Sequence, residues 1–156
     1  MKVAPHFLIA GKGYEQGRLK VLAKELGLES RVTFAGFVPD DDVPFLYRVA
    51  QAFVIAGTAE LQSLVTMEAM ATGLPVLGVN AMALPELIHD GENGFLFPVG
   101  DTKKLSHAIG RLFSDPELRQ RMGQKSLEII QNHSQEKMIA VFESLYQKLL
   151  DKAPQA

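Results

Sequence analysis

The sequence predicts an α/β fold, a doubly wound parallel sheet with helices on both faces. Two observations carry that prediction. Residues 6–10, 31–35, 52–56, 75–79 and 95–97 are short, predominantly apolar runs without polar–apolar alternation, as expected of strands buried on both faces. Longer segments of helical period separate most of them, which is the βαβ arrangement of a parallel sheet.

The first run, 6–10, ends in Gly11-Lys12-Gly13, and a helix from about 14 to 26 follows, stopped by Gly27. After the second run comes Pro39-Asp40-Asp41-Asp42, acids placed to cap a short helix reaching about residue 50. The third run leads through residues 57–63 into an apolar helix that carries Glu68 and ends at Gly73. The fourth run follows at once. A short helix at 84–89 and the turn Asp90-Gly91-Glu92-Asn93-Gly94 then lead to the fifth run. Helices are expected at 102–113, 116–132 and 135–150. The last carries Met138, Phe142, Leu145 and Leu149 at helical spacing, with Ile139 and Tyr146 alongside; such a stripe suits either a core face or the docking surface of another domain. Lys152-Ala153-Pro154-Gln155-Ala156 reads as a disordered tail, which leaves a single domain at 1–151.

Composition narrows the function. A chain of 156 residues with 47% hydrophobic and 22% charged side chains has the balance of a soluble globular domain. The formal charge is −2, with Lys and Arg dispersed, so no basic stripe exists for nucleic acid. Cysteine is absent, which excludes disulfides and thiolate metal sites and fits a cytoplasmic location. His6, His89, His107 and His133 are too scattered for a local metal site. No apolar run approaches the roughly 20 residues of a membrane-spanning helix, and the start lacks the apolar core of an export signal.

Several motifs have plain structural explanations. Gly11-Lys12-Gly13-Tyr14-Glu15-Gln16-Gly17 resembles a dinucleotide fingerprint, but its third glycine is displaced by one residue and no acid ends the next strand, so a glycine turn is the better reading. Asp40 and Asp42 have a spacing that can hold a divalent metal, yet acids at a helix start serve as caps without one. The segment 90–94 reads as a turn whose glycines supply positive φ, with His89 as a helix-end residue.

Glu60 and Glu68 are different. Residues 64–71 are apolar except for Thr66 and Glu68, so the helix is expected to be buried over most of its circumference, where an ionised carboxylate needs a partner. A buried Lys or Arg is one candidate; a pair of ligand hydroxyls at the helix's open end is the other. The residues before Glu68 also form a helix start beyond a strand's carboxyl end, where ligands bind in such sheets and free amides attract anions. Ser63 or Glu60 as a helix cap is the simpler alternative.

Glu60-x7-Glu68, Ala69-Met70-Ala71-Thr72-Gly73-Leu74-Pro75-Val76, Leu84-Pro85-Glu86, Asp90-Gly91-Glu92-Asn93-Gly94-Phe95-Leu96 and Asp115-Pro116-Glu117-Leu118-Arg119, in this order and spacing, resemble the donor-binding domain of retaining glycosyltransferases of the glycosyl transferase group 1 family. The resemblance runs from about residue 7 to 150 and includes Arg31-Val32-Thr33-Phe34-Ala35-Gly36-Phe37-Val38. It implies a GT-B enzyme of two Rossmann-like domains, of which this chain is the second, C-terminal one. By that resemblance Glu68 receives the ribose hydroxyls of a nucleoside diphosphate sugar, with UDP favoured. Glu60, the catalytic candidate, and the amides of Gln62, Ser63, Leu64 and Val65 face the sugar and diphosphate. Gly36, Phe37, Val38 and Pro39 lie against the base. Neither cofactor nor protein-held metal is implied. The partners implied are the nucleotide sugar and an absent acceptor-binding domain through which peripheral membrane association is open, as is self-association.

Three departures stand out. Gln62 and Ser63 replace an aromatic residue and a glycine, and Met82 and Ala83 replace two glycines before Leu84-Pro85-Glu86. The family's first strand of this domain, with the Arg and Lys that grip the diphosphate, is absent. That strand lies centrally in the sheet, so either the strands at 6–10 and 52–56 pair directly or another chain fills the space. The chain alone is therefore expected to transfer no sugar and to be a fragment or subunit of a hexosyltransferase acting on a lipid or saccharide. A sugar-nucleotide epimerase of the same architecture and a nucleotide-binding or interaction module without chemistry are the alternatives.

Overall fold

A computed structural model describes residues 4–152. Of the expected tail, Lys152 closes the last helix and residues 153–156 lie outside the described ones. The elements run β1 (Phe7–Ala10), α1 (Gln16–Glu25), β2 (Val32–Gly36), α2 (Val43–Val49), β3 (Phe53–Ile55), α3 (Leu64–Ala71), β4 (Val76–Val79), α4 (Leu84–Leu87), β5 (Gly94–Phe97), α5 (Thr102–Ser114), α6 (Pro116–Ile130) and α7 (Gln135–Lys152). Every expected strand and helix is present, and all strand pairings are parallel.

The strands do not form one sheet. β1 pairs with β2, and β3–β4–β5 form a separate sheet with β4 in the centre. Among the described residues β1 and β3 do not pair, so direct closure of the gap is excluded, and each strand keeps one edge without a partner strand. The division falls where the family resemblance expects a central strand. A strand takes up about 4.8 Å of a sheet, and closing that space would require the helix layers on both faces to repack.

The core cluster runs from Ile55 to Met122 and includes no residue of β1 or β2. Met70, Val76, Leu77, Leu84, Leu112 and Met122 are fully enclosed or nearly so, and β4 is buried along its whole length. β1 has no comparable cover: Leu8 is 44% exposed and its neighbours are similar. α6 is seated by very close approach. A Cβ on Gly123 would lie 2.1 Å from the carbonyl oxygen of Gly73, and the Ser126 hydroxyl donates to the Leu74 carbonyl at 2.8 Å. At the β4–β5 pairing, a Cβ on Gly94 would lie 1.7 Å from the Val76 oxygen.

Caps follow the sequence in part. Asp101 and Asp115 accept from Lys104 N and Leu118 N, both at 2.8 Å, at the starts of α5 and α6. Asp42 precedes α2 but makes no side-chain cap; the first turn is instead closed by the Pro39 carbonyl, which accepts from Asp42 N and Val43 N. The turn at 90–94 is confirmed, with Asp90 accepting from Leu96 N at 2.8 Å and the buried Asn93 bridging His89 N and the Leu87 carbonyl. Gly11 lies in a positive-φ turn after β1. Every residue of α7 whose side chain is described is exposed, so its apolar stripe packs on no core among the described residues.

Candidate functional site

The loop of residues 57–63 leaves the carboxyl end of β3 and delivers the chain to α3. Ser63, the residue before the helix, has left-handed backbone at φ 50. Its side chain does not cap the helix; it turns inward, where Ser63 Oγ and Thr66 Oγ1 share a buried hydrogen bond of 2.8 Å. Neither does Glu60 act as a cap. Among the described residues, the N–H groups of Gln62, Ser63, Leu64 and Val65 have no protein acceptor. The helix therefore opens with a set of free donors and the positive end of its dipole.

Glu60 is half-buried and folds back across Gly57, where a Cβ would meet its Oε1 at 3.1 Å. Its backbone carbonyl accepts from Ala83 N at 3.1 Å, which ties this loop to the turn before α4. In that turn Met82 also has left-handed backbone, at φ 51. Ser63 and Met82 are the two non-glycine residues with positive φ among those described. Both stand at positions where the resemblance expects glycine.

The expectation that α3 is buried over most of its circumference does not hold. Thr66, Ala69 and Met70 face the core, but Leu64 is 61% exposed, and Val65 and Glu68 lie open on the other side. The eight residues of the helix are apolar on both its buried and its open faces, so composition did not reveal which face the core takes. Among the described residues Glu68 has neither a Lys nor an Arg as its partner. The Tyr47 hydroxyl of α2 donates to Glu68 Oε2 at 2.9 Å and lies 3.3 Å from the Val65 carbonyl. Partial burial, and then the bond to the adjacent carboxylate, hold the Tyr47 hydroxyl protonated well above its usual range. Sequence reasoning missed Tyr47, since nothing in Phe45-Leu46-Tyr47-Arg48 signals a contact 21 residues away.

Residues 36–39 close the second strand-end loop. Gly36, at φ 66, accepts from Gly11 N at 2.7 Å through its carbonyl, and the Lys12 ammonium lies 5.0 Å above the centre of the exposed Phe37 ring. Val38 is half-buried and Pro39 exposed. No hydrogen bond joins this loop directly to residues 60–65; the link is α2, anchored by the Pro39 carbonyl at one end and by Tyr47 on α3 at the other. An open groove of about 560 Å³ runs between Gln62, Met67 and the start of α7, but neither Glu60 nor Glu68 lines it. Among the described residues no three His, Asp or Glu side chains converge as a metal site.

Free amides at a helix start, a solvent-facing carboxylate one turn further on and a second carboxylate in the loop can receive a ligand that carries both an anion and hydroxyls. The sequence pattern described as "Glycosyl transferases group 1" matches residues 1–128 of this chain. The chain belongs to that family. It is 32% identical over 96% of its length to N-acetyl-alpha-D-glucosaminyl L-malate synthase of Bacillus anthracis, of which it spans 39%. It is 34% identical over 80% of its length to D-inositol 3-phosphate glycosyltransferase of Corynebacterium efficiens, of which it spans 30%. Among solved structures, sucrose-phosphate synthase of Thermosynechococcus elongatus superposes with a TM-score of 0.82 at 28% identity, over 94% of this chain and 39% of that one. HepE of Anabaena in complex with UDP gives 0.78 at 27%, over 94% and 41%. The chain thus has the architecture of one GT-B half and spans 30% to 41% of the length of those relatives.

Proposed function

We propose that the chain is the donor-binding half of a retaining glycosyltransferase, one that moves a hexose from a UDP-sugar to a lipid or saccharide acceptor in the cytoplasm. The observation that carries this reading is the pairing of unclaimed amides at residues 62–65 with the open carboxylate of Glu68. Four residues of helix separate Leu64 from Glu68, about 6 Å along the axis, a span that suits a ribose and its diphosphate on one ligand. Glu68 accepts from the two vicinal ribose hydroxyls. The amides of Gln62, Ser63, Leu64 and Val65 receive the diphosphate, whose charge grows as the anomeric C–O bond breaks, so the helix start stabilises the departing group. Glu60 faces the donor sugar from across the loop, and Gly36, Phe37, Val38 and Pro39 flank the base. The UDP held by HepE favours UDP over other nucleotides.

The rest of the site lies outside this chain in the same reading. Sugar transfer requires the acceptor domain, and the exposed apolar stripe of α7 is a surface for it. The unpartnered edges of β1 and β3 fit a central strand supplied along with it.

Calorimetric titration with UDP, GDP, ADP and NAD, repeated on Glu68→Ala, tests the assignment. A ligand at 100 times its dissociation constant stabilises the fold by about 2.7 kcal/mol, which a melt also registers. Binding of a nucleoside diphosphate that Glu68→Ala loses is expected. Binding of NAD alone, or of UDP equally to both proteins, refutes it.

A further inference from the structure

Tyr47 is the one side chain that touches Glu68 through a hydrogen bond among the described residues, and it comes from a different helix. Its ring is fixed from behind by Phe53 of β3, edge-on at 5.9 Å between centroids and 65° between planes. Its hydroxyl is fixed from the front by Glu68 Oε2 at 2.9 Å, with the Val65 carbonyl at 3.3 Å. The hydroxyl has one proton to give, and the shorter, charge-assisted contact to the carboxylate takes it. An exposed glutamate on a helix otherwise samples several rotamers at a cost in entropy when it binds. Here Oε2 is already engaged, and Oε1 remains free toward solvent.

We infer that Tyr47 is a positioning residue for nucleotide binding: its hydroxyl holds the Glu68 carboxylate in the orientation that receives the ribose hydroxyls, and so sets the preference for ribose over deoxyribose. The inference rests on the donor-site reading of Glu68. The raised protonation range of Tyr47 agrees with it, since the hydroxyl remains a donor at every physiological pH.

The test is the affinity of UDP, GDP and ADP, each paired with its 2′-deoxy form, for the full chain, for Tyr47→Phe, for Glu68→Gln and for the double variant. The wild type is expected to prefer one ribonucleotide over its deoxy form at least about tenfold, in line with one hydrogen bond to a charged group. Tyr47→Phe keeps the ring and its packing on Phe53, and it should cut that preference to about threefold or less while the deoxy form binds as before. The double variant should be no worse than Glu68→Gln alone, because Tyr47 acts through the carboxylate. If Tyr47→Phe weakens both members of a pair equally, or changes neither, Tyr47 is a structural link and the inference falls while the donor-site reading stands. If the wild type shows no ribose preference, or Glu68→Gln retains it, the donor-site reading fails and the inference fails with it.

Discussion

Met82 offers a direct test of the backbone geometry around the site. Its φ of 51 places an L side chain in the left-handed region, at a cost of about 1–2 kcal/mol that glycine does not incur. Against this, glycine raises the entropy of the unfolded chain, worth about 0.4–1 kcal/mol relative to alanine. The side chain is 58% exposed, and both Met82→Gly and Met82→Ala remove what it packs on, so that loss cancels between them. Met82→Gly should therefore be more stable than Met82→Ala by about 0.8 kcal/mol, the reverse of the ordinary order of these residues. Met82 lies beside the core of the β3–β4–β5 half, a unit of roughly a hundred residues, in which this difference corresponds to about 3–6 °C in melting temperature. Urea and thermal unfolding of the two variants, followed by circular dichroism, provide the comparison. Ser63→Gly and Ser63→Ala should show the same inversion, with both variants lowered by loss of the bond to Thr66. An alanine variant at residue 82 as stable as the glycine variant would refute the left-handed assignment.

Three other outcomes follow from the packing and the charges. Gly123→Ala should destabilise the protein by about 3 kcal/mol or more, because the new Cβ meets the backbone oxygen of Gly73, which cannot swing aside like a side chain; chemical denaturation measures it, and a loss below about 1 kcal/mol would contradict the α3–α6 contact. Native-state hydrogen exchange should find the amides of Leu8 and Ile9 at least about a hundredfold less protected than those of Leu77 and Val79, since β1 is open to solvent and β4 is enclosed; equal protection would show that the two sheets unfold as one. Tyr47 has a folded-state pKa raised above its usual value of 10.0, so its contribution is complete below pH 10.0 and declines as pH rises toward the folded value. Wild type should then lose more stability than Tyr47→Phe between pH 9 and about 11.5 in parallel urea titrations, and equal losses would mean that the hydroxyl is not engaged by Glu68.

The sequence located the elements well because each strand is a compact apolar run, and Gly27 and Gly73 end two of the helices, both of them local properties. Position in the sheet is not local. The split between β1–β2 and β3–β4–β5 falls at a place that the family resemblance marked and periodicity did not. The site was legible to the same degree. Glu60, Glu68 and the helix start stand out by residue type and order, and the two glycine replacements fall at Ser63 and Met82, the positions of left-handed backbone. Apolar composition misled on α3, for it records a demand for burial without saying what meets it. Leu64 and Val65 are apolar and exposed in this chain, as is the stripe of α7, and only the fold distinguishes them from Ala69 and Met70. Tyr47 was invisible for the converse reason: its hydrogen bond to Glu68 joins α2 to α3, and no spacing in the sequence encodes that contact. Among the described residues no Lys or Arg pairs with Glu68, whose open side faces solvent. A carboxylate that accepts from a tyrosine hydroxyl, beside helix-start amides that have no acceptor among the described residues, is a pair of groups suited to a ligand that carries both hydroxyls and an anion.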